Sequence, residues 1–148
     1  MNRSYFYKDN LESPRLVTRF LNKEDVKIWE EFFMDDDAIR YIPVLNGVKS
    51  NNIEKSKAWI DRQLNRYSEN RLGLQALIHK ETNTFIGQCG LLKQEINGSV
   101  EIEVGYHVFK KYWGQGFAPE AARLFIDFAF ENNLANSVIS ISSMPNKD

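Results

Sequence analysis

The chain has 148 residues, of which 43% are hydrophobic and 26% charged, enough for one domain with a hydrophobic core. The net charge of -1 argues against nucleic-acid binding, which needs a clustered basic excess. The single cysteine, Cys89, excludes an internal disulfide and a C-x-x-C metal pair. No apolar signal segment or bilayer-length apolar run occurs. We therefore predict a single domain over residues 1–148 that is cytoplasmic, with no nucleic-acid, membrane or metal partner.

The first half of the chain predicts one strand and two helices. Residues 15–20 alternate between apolar and polar types, which is typical of a half-buried strand. Asn22 is predicted to cap a helix, with Asp25 three residues on. A second helix is expected to begin near Asn51, with Glu54 at the capping-box position. The apolar face of the first helix consists of Val26, Trp29, Phe32 and Phe33.

The second half predicts closely spaced strands, then a helix and a last strand. Turns at residues 80–83 and 97–98 are too short for a helical crossover, so antiparallel hairpins are expected. Residues 116–132 have helical apolar spacing, and 137–141 predict a final strand parallel to the strand before the helix. The fold class is therefore α+β, a mixed, largely antiparallel sheet flanked by helices with a βαβ unit near the C-terminus. The hairpin strands are expected at 72–79, 85–92 and 100–109.

A glycine turn between the last hairpin strand and the following helix suggests a phosphate site. The strand runs into Gly114-Gln115-Gly116, and glycine lets the backbone turn tightly and approach a ligand closely. A helix start presents N–H groups at the positive end of the helix dipole, and Pro119 is tolerated there because it lacks an N–H. Gly-x-Gly alone is weak evidence, and the segment matches neither the dinucleotide fingerprint nor the P-loop.

The same segment resembles the acetyl-CoA motif of the GNAT superfamily, whose core is Gln/Arg-x-x-Gly-x-Gly/Ala. Trp113 stands where the family has Gln or Arg, and Gly116 and Ala118 match the motif. The preceding Glu-x-Gly-Tyr stretch is similar to the branch of ribosomal-protein N-terminal (RimJ/RimL-type) acetyltransferases, as are residues 36–43 and 85–91. The resemblance covers nearly the whole chain.

This resemblance implies an N-acetyltransferase that uses acetyl-CoA as cosubstrate and no metal. The acetyl group would pass to a primary amine by direct attack in a ternary complex. The acceptor could be a protein N-terminal α-amine or a small amine, with ribosomal protein, peptide, polyamine and antibiotic all open. By resemblance, the residues that bind acetyl-CoA are Tyr106, His107, Val108, Trp113, Gly114, Gln115, Gly116, Phe117, Ala118 and Asn146.

Glu103, in the Glu-x-Gly-Tyr stretch, is the candidate catalytic residue. An amine with a pKa of about 10.4 must lose a proton before it attacks, and a carboxylate can accept it. The alternative is a solvent-facing strand glutamate that pairs with a lysine. Strand alternation places Glu103 on one face with Glu101, Gly105 and His107. His107 is the second candidate base, against a partly buried histidine with a satisfied hydrogen bond.

Several other residues have a functional and a structural interpretation. Cys89 is interpreted as a buried apolar residue and not as a nucleophile. Tyr106 and Tyr112 line the cofactor or belong to the core. The acidic run 35–37 attracts a cationic amine or is a solvated loop. Trp29 and Trp59 are interpreted as packing residues.

The end of the chain departs from the family pattern. Residues 144–148 resemble the start of an Asn-x-x-Ser motif, after which the family continues with a short helix and a closing hairpin. The chain is therefore expected to be C-terminally truncated and to lack that hairpin, including a tyrosine that is the general acid in several relatives. An open edge on the last strand would favour a homodimer. A non-catalytic acyl-CoA-binding or regulatory module and a nucleotide-binding domain stay open as alternative functions.

Overall fold

A computed structural model describes residues 7–34, 51–134 and 139–143, the last of these as backbone. Its strands form one five-stranded sheet in the order β1-β2-β3-β4-β5. The strands are β1 (Leu16–Phe20), β2 (Leu72–His79), β3 (Thr84–Ile96), β4 (Ser99–Val108) and β5 (Ile139–Ser143). The helices are α1 (Asp25–Trp29), α2 (Asn52–Ser68) and α3 (Phe117–Glu131), with 3-10 turns at Glu30–Met34 and Lys110–Tyr112.

Strands β1 to β4 are antiparallel, and β5 is parallel to β4. The parallel register runs from Ile102 opposite Ile139 to Tyr106 opposite Ser143. The predicted α+β fold with a βαβ unit is therefore confirmed. The described last strand begins at Ile139, because residues 135–138 lie outside the described part of the chain.

Two apolar clusters lie on opposite faces of the sheet. Helix α3 covers one face, where Val104, Ala118 and Phe125 are fully buried. Helices α1 and α2 cover the other face, where Trp29 and Ile60 are fully buried. No helix in the described ranges is long and apolar enough to cross a bilayer.

The prediction of one continuous helix after Asn22 is wrong. The α-helix ends at Trp29, and Glu30–Met34 continues as a 3-10 turn. In a 3-10 turn, residues three apart lie above one another. The rings of Trp29 and Phe32 accordingly stack at 4.5 Å with an interplanar angle of 9°. The helix assignment places the N-cap at Glu24, but the predicted capping contacts of Asn22 are present: its Oδ1 accepts the Glu24 N–H, and its N–H donates to Asp25 Oδ2, both at 2.8 Å.

The N-terminal segment covers the outer edge of β1. The Asn10 N–H donates to the Thr18 carbonyl at 2.8 Å, and the Thr18 N–H donates to the Leu11 carbonyl at 3.0 Å. These bonds occupy backbone groups that an edge strand would otherwise expose. The same segment brings Ser13 and Arg15 to the start of α3.

Candidate active site

Strand β4 presents different side chains to the two layers. Ile102 and Val104 are buried under α3. His107 faces the other layer, where its ring meets Trp59 at 5.0 Å and Phe32 at 6.0 Å. Alternation places Glu103 on the His107 face. The strand therefore separates the α3 side from the side that holds the candidate base.

The backbone of β4 presents alternate N–H groups to its two neighbours. The Phe109 N–H donates to the Ile86 carbonyl of β3 at 3.1 Å, so the N–H groups of Tyr106 and Val108 point to the opposite edge. The described pairing with β5 ends at Tyr106. The Trp113 Nε1 donates to the Val108 carbonyl at 2.8 Å, which places the indole beside this edge. Tyr106, His107 and Val108 were predicted to bind acetyl-CoA through this strand. The N–H groups of Tyr106 and Val108 share one edge, whereas the His107 N–H faces β3.

The glycine turn has the backbone that its sequence predicts. Gly114 and Gly116 both have φ of 81°, in the left-handed region that glycine favours. Gly116 is the N-cap of α3, and no side chain caps the helix there. A Cβ added to Gly114 would meet no described atom within 4 Å. The turn therefore leaves room for a group to approach the start of α3.

An arginine and a glutamate brace this turn against β1. The Arg15 Nε donates to Glu120 Oε1 at 2.7 Å, and its Nη1 donates to the Gln115 carbonyl at 2.9 Å. The guanidinium lies 4.2 Å from the centre of the Phe117 ring. Burial raises the pKa of the Glu120 carboxyl, but hydrogen bonds from the Ser13 hydroxyl and from Arg15 outweigh it, so the pKa is lowered. Glu120 is thus held as the anion that positions Arg15.

Neither member of this brace was predicted as a site residue. Arg15 and Glu120 are 105 residues apart, and no local spacing connects them. Acidic residues are common in the first turn of a helix because they face the positive end of its dipole. Glu120 in the sequence therefore did not indicate that it would pair with Arg15.

A cavity of about 270 Å³ lies between β4 and the first turns of α3. Pro119 and Ala122 give the helix a thin surface here, and Arg123 is exposed at the rim. Tyr106 packs against the α3-side core, as the core interpretation expects, and it also lines the cavity, where its contact with a cofactor stays a prediction. Tyr112 packs against both apolar clusters.

Glu103 is half-buried on the α2 side of the sheet. The Gln94 Nε2 donates to Glu103 Oε1 at 2.9 Å, which engages one of the two carboxylate oxygens. The predicted alternative paired this glutamate with a lysine, whereas its hydrogen-bond partner in the described ranges is the side-chain amide of Gln94. Its role as a general base stays a prediction.

His107 and Cys89 have pKa values that disfavour their charged forms. The His107 Nδ1 is buried without a hydrogen-bond partner among the described residues, and burial lowers its pKa to about 4. The imidazole is therefore neutral near pH 7, and the predicted satisfied hydrogen bond is absent at Nδ1 in the described ranges. Cys89 is fully buried, and burial raises the pKa of its thiol. A buried thiol of this kind is not an activated nucleophile.

Acidification is expected to destabilise the chain through His107. The folded pKa of about 4 lies below the unfolded value of about 6.5, so the neutral form favours folding. This contribution is present above pH 6.5 and is lost as the pH falls towards 4. Urea unfolding of the parent chain and of His107→Asn at pH 7 and pH 5 should show that the parent loses more stability than the variant. An equal loss would contradict the burial argument.

Two predicted features lie outside the described residues. Asn146 and the acidic run 35–37 both fall there, and their roles stay predictions. Within the described ranges, no group of three or more His, Cys, Asp or Glu residues is arranged to hold a metal ion.

Comparison with known proteins decides the family. The family model described as an acetyltransferase (GNAT) domain matches residues 15–148. The chain belongs to the GNAT acetyltransferase family. It is an acyltransferase by this membership, and the resemblance inferred from the motif is confirmed.

Two Bacillus proteins are similar in sequence. YkkB of Bacillus subtilis is 28% identical over 143 residues, which cover 95% of this chain and 79% of that protein. The N-acetyltransferase p20 of Bacillus licheniformis is 29% identical over 132 residues, which cover 88% of this chain and 71% of that protein.

Solved structures share the fold of this GNAT chain. A GNAT-family acetyltransferase from Bacillus anthracis superposes with a TM-score of 0.64 and 22% identity, over 82% of this chain and 66% of that one. RimL, a ribosomal L7/L12 α-N-protein acetyltransferase in complex with coenzyme A, superposes with a TM-score of 0.63 and 14% identity, over 82% of this chain and 67% of that one. The chain thus spans about two thirds to four fifths of the length of these relatives.

Proposed function

We propose that this GNAT chain is an acetyl-CoA-dependent N-acetyltransferase that transfers an acetyl group to a primary amine by direct attack in a ternary complex. The observation that carries the proposal is the position of the glycine turn. It opens α3 beside the edge of β4 to which the Val108 N–H points, beyond the last residue that is paired with β5. One ligand could therefore contact a helix start and a strand edge at once.

The cofactor-binding part of the proposal assigns a role to each element. The pyrophosphate is held by backbone N–H groups of residues 114–118, aided by the dipole of α3. The Arg15–Glu120 pair keeps the turn in place. The pantetheine lies along the edge of β4 beside Trp113. Two solved neighbours contain this ligand class, RimL with coenzyme A and the microcin C7 self-immunity acetyltransferase MccE with acetyl-CoA and AMP.

The catalytic part of the proposal uses two groups of β4. The Glu103 carboxylate accepts a proton from the acceptor ammonium, directly or through one water. The Val108 N–H donates to the thioester carbonyl as negative charge develops on its oxygen. A preplaced donor of this kind contributes on the order of 3 kcal/mol to the transition state. The acetyl group passes from sulfur to the neutral amine, and the thiolate takes up the proton that the nitrogen loses as the amide forms.

The acceptor, location and assembly of the protein are part of the same proposal. The acceptor is a protein N-terminal α-amine or a small amine, and the α-N-protein acetyltransferase RimL among the structural neighbours supports the first. A cytoplasmic location is consistent with a single cysteine that is buried and unpaired. A homodimer through the β5 edge is the proposed assembly.

Calorimetric titration with acetyl-CoA, ATP and NAD tests the proposal first. Acetyl-CoA should bind and the other two nucleotides should not, since the turn matches neither of their fingerprints. A panel of amines then tests turnover by thiol release. Binding of acetyl-CoA without turnover on any amine would indicate an acyl-CoA-binding module. Failure to bind acetyl-CoA would overturn the proposed activity for this chain.

A further inference from the structure

A second cavity, of about 340 Å³, lies where α2 ends and the chain turns into β2. Three arginines and one carboxylate face it, so the lining is strongly basic. Arg62, Arg66 and Glu69 are spaced at four and three residues, which places them along one side of the helix. The lining residues are Arg62, Asn65, Arg66, Glu69 and Arg71.

Arg66 is the unusual member of this lining. Its Nε and Nη1 atoms are buried and have no hydrogen-bond partner among the described residues. Burial lowers its pKa, and the neighbouring Arg71 and Arg62 lower it further, while Glu103 and Glu69 act in the opposite direction. Arg66 as a whole is half-buried, and two of its three guanidinium nitrogens are desolvated without a compensating hydrogen bond in the described ranges, which is costly. An anion in the cavity would offset the charge of this group.

The one acidic residue of the lining does not supply it. Glu69 lies 3.6 Å from Arg71, and both side chains are about half exposed (59% and 46%). An exposed pair of this kind contributes little and exchanges readily. Three arginines against one glutamate leave the cavity positively charged. It therefore has capacity for an additional carboxylate or phosphate.

The backbone holds these arginines in a defined arrangement. Asn70 has φ of 60° and ends the helix, and the Arg71 N–H donates to the Arg66 carbonyl at 2.8 Å. This closing bond is typical of a helix C-terminus that turns in the left-handed region. It keeps Arg71 beside Arg66 before any ligand binds, which lowers the ordering cost of binding.

The cavity lies on the side of the sheet that holds Glu103. Helix α2 covers the same face of β4 as Glu103 and His107, and the charge of Glu103 acts on Arg66. We propose that this arginine cavity binds an anionic group of the acceptor, so that the preferred acceptors are amines that carry a nearby carboxylate or phosphate. The acceptor assignment rests on the proposed acetyltransferase function, whereas the anion site stands on its own geometry.

Two peptides of matched length test the proposal by binding, without turnover. Calorimetry at low ionic strength, with coenzyme A present, compares C-terminally amidated Ser-Glu-Glu with C-terminally amidated Ser-Gln-Gln, so that only the first carries carboxylates. The parent chain should bind the acidic peptide about tenfold more tightly, and inorganic phosphate should compete with it. Arg62→Gln and Arg66→Gln should remove most of this preference. Arg62 is exposed, so its variant tests the site even if Arg66→Gln folds poorly.

Lys57→Gln is the matched control on the same helix. It removes the same charge from an exposed position about 13 Å along the helix axis from Arg66, and it should keep the preference. An equal loss in all three variants, or no preference in the parent chain, would overturn the anion site. Unchanged acetyl-CoA affinity in Arg66→Gln would exclude a phosphate of the cofactor as the natural occupant, whereas a tenfold loss would assign the cavity to it and refute the acceptor proposal. Peptide preference without acetyl-CoA binding would refute the acetyltransferase activity and leave the anion site standing.

Discussion

Glu103→Gln is expected to lower kcat about 10²- to 10⁴-fold while the affinity for acetyl-CoA stays unchanged. Glutamine has nearly the shape of glutamate and can keep the hydrogen-bonding site for Gln94, which lies 2.9 Å from Glu103 Oε1. It cannot accept a proton, so the acceptor amine would remain charged. Steady-state thiol release with a reactive amine measures the loss, and calorimetry measures cofactor binding.

Glu101→Gln provides the control for this substitution. Glu101 is two residues earlier on β4, on the same face, and is also partly exposed. It should retain the activity of the parent chain, because the change alters only the charge of the strand. Similar losses in both variants would mean that the negative charge on this face of β4, and not a general base at residue 103, supports the reaction. No loss in Glu103→Gln would remove this residue from the mechanism.

Gly114→Ala is expected to weaken acetyl-CoA binding about tenfold or more, which corresponds to about 1.4 kcal/mol. Gly114 has φ of 81°, and an added Cβ would meet no described protein atom within 4 Å. The new methyl group would therefore occupy space that the proposed pyrophosphate needs. It would also strain the left-handed backbone by roughly 1–2 kcal/mol.

The chain contains a matched glycine that separates these two effects. Gly98 has φ of 82° in the turn between β3 and β4, and a Cβ there also meets nothing within 4 Å. Gly98→Ala should lose similar stability in urea unfolding and keep the affinity for acetyl-CoA. Equal affinities in the two alanine variants would refute the placement of the cofactor at the glycine turn.

The sheet was predictable because its signals are local. The hairpin turns at residues 80–83 and 97–98 set the order of β2, β3 and β4, and the change to helical spacing after Gly116 indicated the βαβ unit. Asn51 was predicted as a cap, and its Oδ1 accepts the Glu54 N–H at 2.9 Å. Each of these features depends on residues within a few positions of one another.

The features that were not predicted depend on residues far apart in the chain. Arg15 reaches Gln115 and Glu120 only because the antiparallel sheet brings β1 beside α3. The basic cavity at Arg66 depends on the direction in which α2 crosses the sheet. The 3-10 turn after Trp29 accompanies ring stacking in the core, and the apolar spacing alone could not distinguish this turn from an α-helix.

The arrangement of the tryptophans also provides an optical readout. Trp29 is fully buried and stacked on Phe32, so its emission should be insensitive to ligands. Trp113 is partly buried and hydrogen-bonded to the Val108 carbonyl, beside the proposed cofactor edge. Trp59 is partly buried and meets the His107 ring on the other face. Intrinsic fluorescence of Trp59→Phe and Trp113→Phe variants could therefore report separately, without labels, which side of β4 a ligand occupies.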